Sequence, residues 1–304
     1  MADRPSFQGG VADGAAEAAT SHLAVLGSPI AHSKSPAIHA AAYRELGLAW
    51  SYGREELRAE ELEGFLAARA RGWRGFSLTM PLKEEAHRLA SILDPVAEES
   101  GVVNTLLRLD SEAQPWAGFN TDVGGLAAAI RREGLDGART VVLGSGATAV
   151  SAILAARSLG AQHVEVVARN VPVISDLVAR FGDTRDGGGT GSLHLSGTPL
   201  PHVGPLLEHL APTLVVSTLP GPAAREVALP EAFAQIPLFD VAYDPWPSPL
   251  AERWRAAGGE AHSGIGMLVE QALLQVRIFA NGDPGFPLEG EERVLAAMYA
   301  AVPQ

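Results

Sequence analysis

The sequence predicts an α/β fold in two domains. The first is an N-terminal α/β domain, the second is a doubly wound parallel sheet, and C-terminal helices return to the first. Three observations carry this prediction. Short apolar runs alternate with helical stretches from His22 onward. The alternation restarts at Thr140, where TVVLG runs into a glycine-bearing turn and an apolar helix. The chain then closes on two helical stretches, MLVEQALLQVRIFA and EERVLAAMYA, which follow the last strand and so are free to return to the first domain.

Taken in order, residues 1–21 are small and polar, without apolar periodicity or a basic segment leading into an apolar core. They are expected to be a disordered leader and not a signal peptide. HLAVLG is the first strand, and SPAIHAAAYRELG a helix with Ser35 as its cap, Pro36 as its first residue and Gly47 as its stop. WSYGREE reads as a strand, EELEGFLAARARG as a helix, and GFSLTM as a strand running into Pro81, which can open another helix. VVNTLLRLD and PWAGFN suggest a hairpin-like pair, after which Asp122 leads into the helix GGLAAAIRREG. In the second half TVVLG, HVEVVARN, LVVST, PLFDVAY and GEAHS are strands, and the glycine-rich 182–191 is a flexible loop. The expected domains are 22–125 with 264–304, and 126–263 between them.

Composition narrows the function classes. The chain has 304 residues, 23 Lys+Arg against 35 Asp+Glu, 47% hydrophobic and 19% charged residues. That places it among globular proteins of about two domains. A net charge of −12 argues against a nucleic-acid partner, because no basic stripe neutralises phosphates. No apolar run approaches the roughly 20 residues a bilayer requires. Zero cysteines exclude disulfides, thiolate nucleophiles and Cys-ligated zinc, so a cytoplasmic enzyme with no metal is expected. Only Lys34 and Lys83 are lysines. In a chain that otherwise uses arginine, a retained lysine hints at a place where a compact ammonium is needed.

Gly144-Ser145-Gly146-Ala147-Thr148-Ala149 matches the G-x-G-x-x-A dinucleotide fingerprint. Gly144 permits the tight turn, Gly146 the close approach of a pyrophosphate, and Ala149 helix–strand packing, while the helix N-terminus attracts phosphate. A lone match is weak in a chain with 33 glycines; its place between a strand and a helix strengthens it. The next strand ends in Arg169-Asn170 where an NAD-specific protein would carry an acid. An arginine there pairs with a 2′-phosphate, which favours NADP (NADPH) over NAD.

On the other side, Ser33 and Ser35 stand at a helix start that could cradle a carboxylate, although taken alone a cap and a loop serine explain them. Lys83, Asp122, Thr79 and Asn104 could each be an ordinary surface, cap or turn residue. They share one property: all fall at the ends of different strands, where α/β sheets place their sites. A lysine and an aspartate beside a nicotinamide would suit reversible hydride transfer to a ketone.

The blocks Gly27-Ser-Pro-Ile-Ala-His-Ser33-Lys-Ser35-Pro36, Thr79-Met-Pro-Leu-Lys83, Asn104-Thr, Asn120-Thr-Asp122 and Gly264-Ile-Gly-Met267-Leu-Val-Glu-Gln271-Ala, in this order, resemble the shikimate dehydrogenase family from about His22 to Phe279. The resemblance implies an N-terminal substrate domain completed by the C-terminal helices, and an NADP-binding Rossmann domain. The activity implied is NADPH-dependent reduction of 3-dehydroshikimate to shikimate, a step toward chorismate and the aromatic amino acids. By the same resemblance Ser33 and Ser35 hold the substrate carboxylate, while Thr79, Asn104, Asp122 and Gln271 bond its ring hydroxyls. Lys83 serves as proton donor and acceptor with Asp122 as its catalytic partner. Tyr243 lies near the substrate. Gly264 and Met267 lie near the nicotinamide, as does the Ser217-Thr218 pair ending a later strand. The only partner implied is a small-molecule substrate; a homodimer is left open.

Three departures from the family pattern stand out. Ser77 replaces the asparagine often found two residues before the Thr of T-x-P-x-K, which predicts rearranged ring-hydroxyl contacts. Ala168-Arg169-Asn170 replaces Asn-Arg-Thr, keeping only the phosphate-pairing arginine. Ser217-Thr218-Leu219-Pro220 replaces an Asn-Ala-Thr-type run, so nicotinamide contacts there would be mostly backbone. The alternatives are a quinate or quinate/shikimate dehydrogenase using NAD, and a non-catalytic nucleotide-sensing module of the same fold.

Overall fold

The structure is a computed structural model that describes residues 21–69, 72–111, 115–182 and 193–302. Nearly all of the expected leader 1–21, and the expected flexible loop beyond Gly182, lie outside the described residues. Two compact units emerge, Met1–Thr121 with Gln271–Gln304, and Asp122–Glu270.

The first unit carries strands β1 (His22–Gly27), β2 (Ser51–Glu56), β3 (Trp73–Leu78), β4 (Ile92–Leu93), β5 (Thr105–Arg108) and β6 (Trp116–Phe119). Its first helices are α1 (Ser35–Glu45), α2 (Leu62–Ala68), α3 (Lys83–Leu89) and α4 (Pro95–Ser100). The strands form one mixed sheet in the order β2-β1-β3-β5-β6-β4. The strand β1 runs parallel to both β2 and β3, whereas β5 is antiparallel to β3 and to β6, as the hairpin-like pattern suggests. A continuous run of buried residues, Leu23 to Leu26, fits a strand covered on both faces. One helix was not anticipated: Asp94 caps α4, accepting from the N–H groups of Val96 and Ala97, just before Pro95.

Two expected helix starts are corrected. Ser35 is the first residue of α1, Lys34 the cap, and Pro36 the second helical residue. The hydroxyl that meets the Ser35 N–H belongs to Ser33, at 3.3 Å. The helix after Pro81 starts at Lys83, because Thr79 to Leu82 form a turn closed by the Leu82 N–H on the Thr79 carbonyl.

The second unit opens with α5 (Asp122–Arg132), followed by β7 (Arg139–Leu143), α6 (Ala147–Ser158), β8 (His163–Ala168), α7 (Val171–Phe181) and β9 (His194–Pro199). After these come α8 (Leu206–Leu210), β10 (Leu214–Ser217), α9 (Gly221–Glu226), β11 (Leu238–Asp240), α10 (Pro249–Ala256) and β12 (Ala261–Ser263). All neighbouring strands are parallel, in the order β12-β11-β10-β7-β8-β9. The order reverses between β7 and β10, which is the doubly wound arrangement with its switch point there. Its core combines Val141, Leu143, Val215, Phe233, Leu238 and Trp254.

The last helices are α11 (Ile265–Asn281) and α12 (Glu291–Ala300). The unit limits at Thr121 and Glu270 differ from the sequence expectation of 125 and 264. The reason is that α5 lies against α6, and Arg132 pairs with Glu270 at 3.7 Å, so α5 and the start of α11 cluster with the second sheet. From Gln271 on, α11 joins the first unit, with the Arg74 guanidinium donating to the Phe279 carbonyl at its end, and α12 lies against α1. Among the described residues no helix is long and apolar enough to cross a membrane.

Candidate active site

In the first unit, one sheet edge gathers most of the residues singled out from the sequence. The parallel strands β1 and β3 end together, the Thr79 N–H donating to Leu26 O at 2.9 Å and the Ser28 N–H to Met80 O at 3.0 Å. A Cβ on Gly27 would overlap the Thr79 side chain, so this position must be glycine for the two loops to meet. Because β5 is antiparallel, its start lies beside the end of β3, with Ser77 opposite Thr105 and Leu78 donating to Asn104 O at 2.7 Å. The end of β6 lies beside the start of β5, with Thr105 opposite Phe119. Thr79, Asn104, Asn120 and Thr121 therefore share an edge for topological reasons.

Lys83 is tied to the same edge by its backbone. Its carbonyl accepts the Val103 N–H at 2.9 Å, one residue before Asn104, and its side chain is half-buried. Asn104, 2% exposed, accepts the Thr121 N–H at 2.9 Å and donates to Thr121 Oγ1 at 2.9 Å. The Thr121 hydroxyl donates in turn to Gln271 Oε1 at 3.3 Å. Asp122 follows Thr121 as the first residue of α5, and its residue is 5% exposed. Ser33 and Ser35 lie just past the loop from β1. Arg54 on β2 clamps that loop, its Nη2 and Nε donating to Ser33 O at 2.6 and 3.1 Å.

Behind this edge lies a buried polar cluster that sequence reading did not identify. His39 Nδ1 is 3.0 Å from the Tyr43 hydroxyl and its Nε2 is 3.2 Å from Gln275 Oε1. The imidazole also stacks on Tyr52 at 3.9 Å between ring centroids. Burial pushes His39 down from the ordinary 6.5 to about 3. The unfolded chain thus takes up a proton below pH 6.5 while the folded chain refuses it. This contribution to stability is intact above about pH 6.5 and is lost as pH falls toward 3, at up to about 1.4 kcal/mol per pH unit. Urea unfolding at pH 7 and pH 4.5 should show a smaller stability loss for His39→Gln than for the native chain. Equal losses would exclude His39 as the source.

In the second unit, Gly144 ends β7 with φ of +120°, and its N–H donates to Val167 O at 2.9 Å. A Cβ there would overlap Thr218 Oγ1, which comes from the end of β10 across the switch point and donates to Leu143 O at 2.9 Å. Gly146 caps α6 without a side chain, and space is open where its Cβ would be. The N–H groups of Ala147 and Thr148 are thereby turned to an anionic ligand, and Ser145 lies between the two glycines. Ala149 is fully buried against the sheet. A pyrophosphate fits this turn: the backbone is bare where it would approach. Arg169 is exposed at the end of β8, directly before Asn170, the cap of α7.

The remaining expected cofactor residues differ in what they offer. The Ser217 side chain is fully buried and its carbonyl accepts from Val241 N–H at 3.0 Å, leaving half-buried Thr218 as the more accessible of the pair. Gly264 is buried where a Cβ would overlap the Val241 backbone. Met267 is 7% exposed in the first turn of α11. Half-buried Tyr243 follows β11, and burial together with Asp244 raises its hydroxyl pKa, keeping it a neutral donor.

Known proteins share this layout. The family model described as the shikimate dehydrogenase substrate binding domain matches residues 25–106. The chain is 33% identical over 284 residues to the shikimate dehydrogenase (NADP(+)) of Methanosarcina mazei, covering 91% of this chain and 98% of the relative. The crystal structure of Mycobacterium tuberculosis shikimate dehydrogenase superimposes with a TM-score of 0.77 at 38% identity, over 92% of this chain and 99% of that one. The Thermus thermophilus enzyme, solved in complex with NADP(H) and shikimate, gives 0.74 at 30% identity, over 93% and 100%. With a sheet edge and a glycine turn of this geometry, and likeness along nine-tenths of its length, the chain belongs to the shikimate dehydrogenase family.

Proposed function

We infer that the chain is an NADP-dependent shikimate dehydrogenase, an oxidoreductase that reversibly reduces 3-dehydroshikimate to shikimate in the cytoplasm. The observation that carries this reading is the tether of Lys83 through Val103 to Asn104 and Thr121, the residue before Asp122. It fixes the Lys83 backbone next to the sheet edge shared by Thr79, Asn104 and Thr121, which supports the role proposed for its side chain.

Ser33 and Ser35 take the substrate carboxylate at the start of α1, where the helix dipole favours an anion and Arg54 holds the loop. Thr79, Asn104, Asp122 and Gln271 bond ring hydroxyls, with Tyr243 as a further neutral donor. When bound, NADPH would be the source of the hydride for the carbonyl carbon. Lys83 then donates a proton to the oxygen as negative charge develops there, and withdraws one when shikimate is oxidised. The role proposed for Asp122, the residue directly after Thr121, is that of the carboxylate partner that balances the Lys83 charge. Gly144, Ser145, Gly146, Ala147 and Thr148 cradle the pyrophosphate, Arg169 the 2′-phosphate, and Thr218, Gly264 and Met267 line the nicotinamide side with the Ser217 backbone.

The test is a crossed assay of shikimate or quinate with NADP+ or NAD+, followed by absorbance of the reduced cofactor. Turnover should be best with shikimate and NADP+. Arg169→Ala should raise the KM for NADP+ about ten- to hundredfold, the worth of a lost charge-assisted bond, with much less change for NAD+. Equal losses for both cofactors would remove Arg169 from phosphate recognition.

A further inference from the structure

Gln275 lies one turn beyond Gln271 on α11 and is 2% exposed. Its amide meets four partners, and two of its contacts run on to Asn104. Oε1 accepts from Ser77 Oγ at 2.7 Å and faces His39 Nε2 at 3.2 Å. Nε2 donates to Thr105 Oγ1 at 3.0 Å and to the Asn104 carbonyl at 3.3 Å. Thr105 passes its own proton to Asn104 Oδ1 at 2.8 Å. Upstream, the Tyr52 hydroxyl donates to Ser77 at 2.6 Å.

The direction of this relay is dictated at both ends. A backbone carbonyl only accepts, so the Asn104 carbonyl requires the Gln275 NH₂ on its side. A backbone N–H only donates, so Thr121 N–H requires Asn104 Oδ1 on its side. With Gln275 donating to Thr105, the threonine proton must point to Asn104, and Asn104 Oδ1 is filled by two donors. The Asn104 NH₂ is then the edge turned to Thr121 Oγ1 and Gln271. The Thr121 hydroxyl keeps a choice of acceptor, Gln271 Oε1 at 3.3 Å or Asn104 Oδ1 at 3.2 Å. The Gln275 amide, the Thr105 hydroxyl and the Asn104 amide each have one orientation, and such satisfied buried networks are rigid.

We propose that Gln275 is a positioning residue for substrate recognition, acting through Thr105 to lock Asn104 with its amide NH₂ as the edge presented toward the ring hydroxyls. This rests on the shikimate dehydrogenase reading above. Gln275 touches no reacting group itself. It sets the donor–acceptor polarity of the side chains that do, and so belongs to specificity rather than to hydride or proton transfer.

The experiment compares native enzyme with Gln275→Leu, Thr105→Val and the double variant, measuring KM for shikimate, KM for NADP+, kcat and thermal unfolding. Gln275→Leu should raise the KM for shikimate about tenfold, the loss of one or two buried hydrogen bonds, with a smaller fall in kcat and the KM for NADP+ within about twofold. Thr105→Val should do much the same, and the double variant little more than either, because both cut one relay. Multiplying effects in the double variant would overturn the relay, and an unchanged KM for shikimate in folded Gln275→Leu would overturn the role of Gln275. A parallel rise in both KM values would mark a general structural defect and equally overturn it. Should Gln275→Leu fail to fold, Gln275→Glu decides. It keeps the shape and the acceptor facing Ser77 but cannot donate to Thr105 when ionised, so its KM for shikimate should rise at pH 8, and an unchanged value there overturns the proposal. Native enzyme inactive on shikimate with NADP+ would instead refute the underlying functional reading.

Discussion

Replacing Lys83 by alanine should lower kcat for shikimate oxidation by about 10²–10⁴-fold, the usual worth of a positioned general acid or base. Binding of shikimate should suffer much less, since its carboxylate and hydroxyls are assigned to Ser33, Ser35, Thr79, Asn104 and Gln271. Such a split, with kcat and kcat/KM falling together, marks an interaction made in the transition state and not in the ground state. The backbone of Lys83 already serves the fold, its carbonyl accepting the Val103 N–H, and this bond survives the substitution. A near-native melting temperature is therefore expected, so that a lost rate reports chemistry. Steady-state kinetics with a thermal melt decide the matter, and an intact kcat would end the proposed role. Asp122→Asn should also slow turnover, because an amide could not play the charge-balancing part proposed for this carboxylate.

Gly144→Ala should damage both stability and cofactor binding. An L-residue at φ of +120° costs about 1–3 kcal/mol, and the added methyl would also overlap the Thr218 hydroxyl bonded to Leu143. Relief of that overlap would spread β7 and β10 at the switch point and displace the turn meant for the pyrophosphate. The melting temperature should fall by several degrees and NADPH affinity by at least about tenfold. Gly146→Ala is the informative contrast. Space around its Cβ is open and its φ of −90° suits any residue, so the fold should tolerate the change. The methyl would project into the approach to the helix N-terminus, so NADPH affinity should still drop. If Gly146→Ala bound NADPH like the native chain, the turn would not be the phosphate cradle.

The second sheet was more legible than the first. Its inner strands β7, β8, β10 and β11 are apolar runs bounded by glycine, proline or polar residues, and parallel strands buried on both faces need little more than that. The edge strand β9, HLSGTP, is by contrast polar and half-exposed and was not among the expected strands. The strand order of the first sheet was not readable, because β5 enters antiparallel between β3 and β6, and nothing in Thr105–Arg108 specifies its neighbours. The helix α4 escaped notice because its cap and proline, Asp94 and Pro95, are followed by only six residues with little apolar periodicity. The N-cap of α1 was misplaced by one residue since Ser33 and Ser35 are both good caps and sequence does not say which hydroxyl turns back on the helix. Gln275 carried a signal that could have been used: it stands four residues after Gln271, the spacing that puts two side chains on one helix face.

By itself the amino-acid sequence determined which chemistry this protein carries: a glycine turn between strand and helix, an arginine in place of an acid, a rare lysine and an aspartate at element ends. These are local features, dictated by backbone sterics and by the identity of single side chains. Tertiary structure decided which of those groups lie on one edge, and which buried partners orient them. His39, Ser77, Thr105 and Gln275 come from four separated elements, and a hydrogen-bond relay among them has no sequence period to announce it. Its direction follows only once a particular carbonyl and a particular N–H have been brought to its end by the pairing of strands.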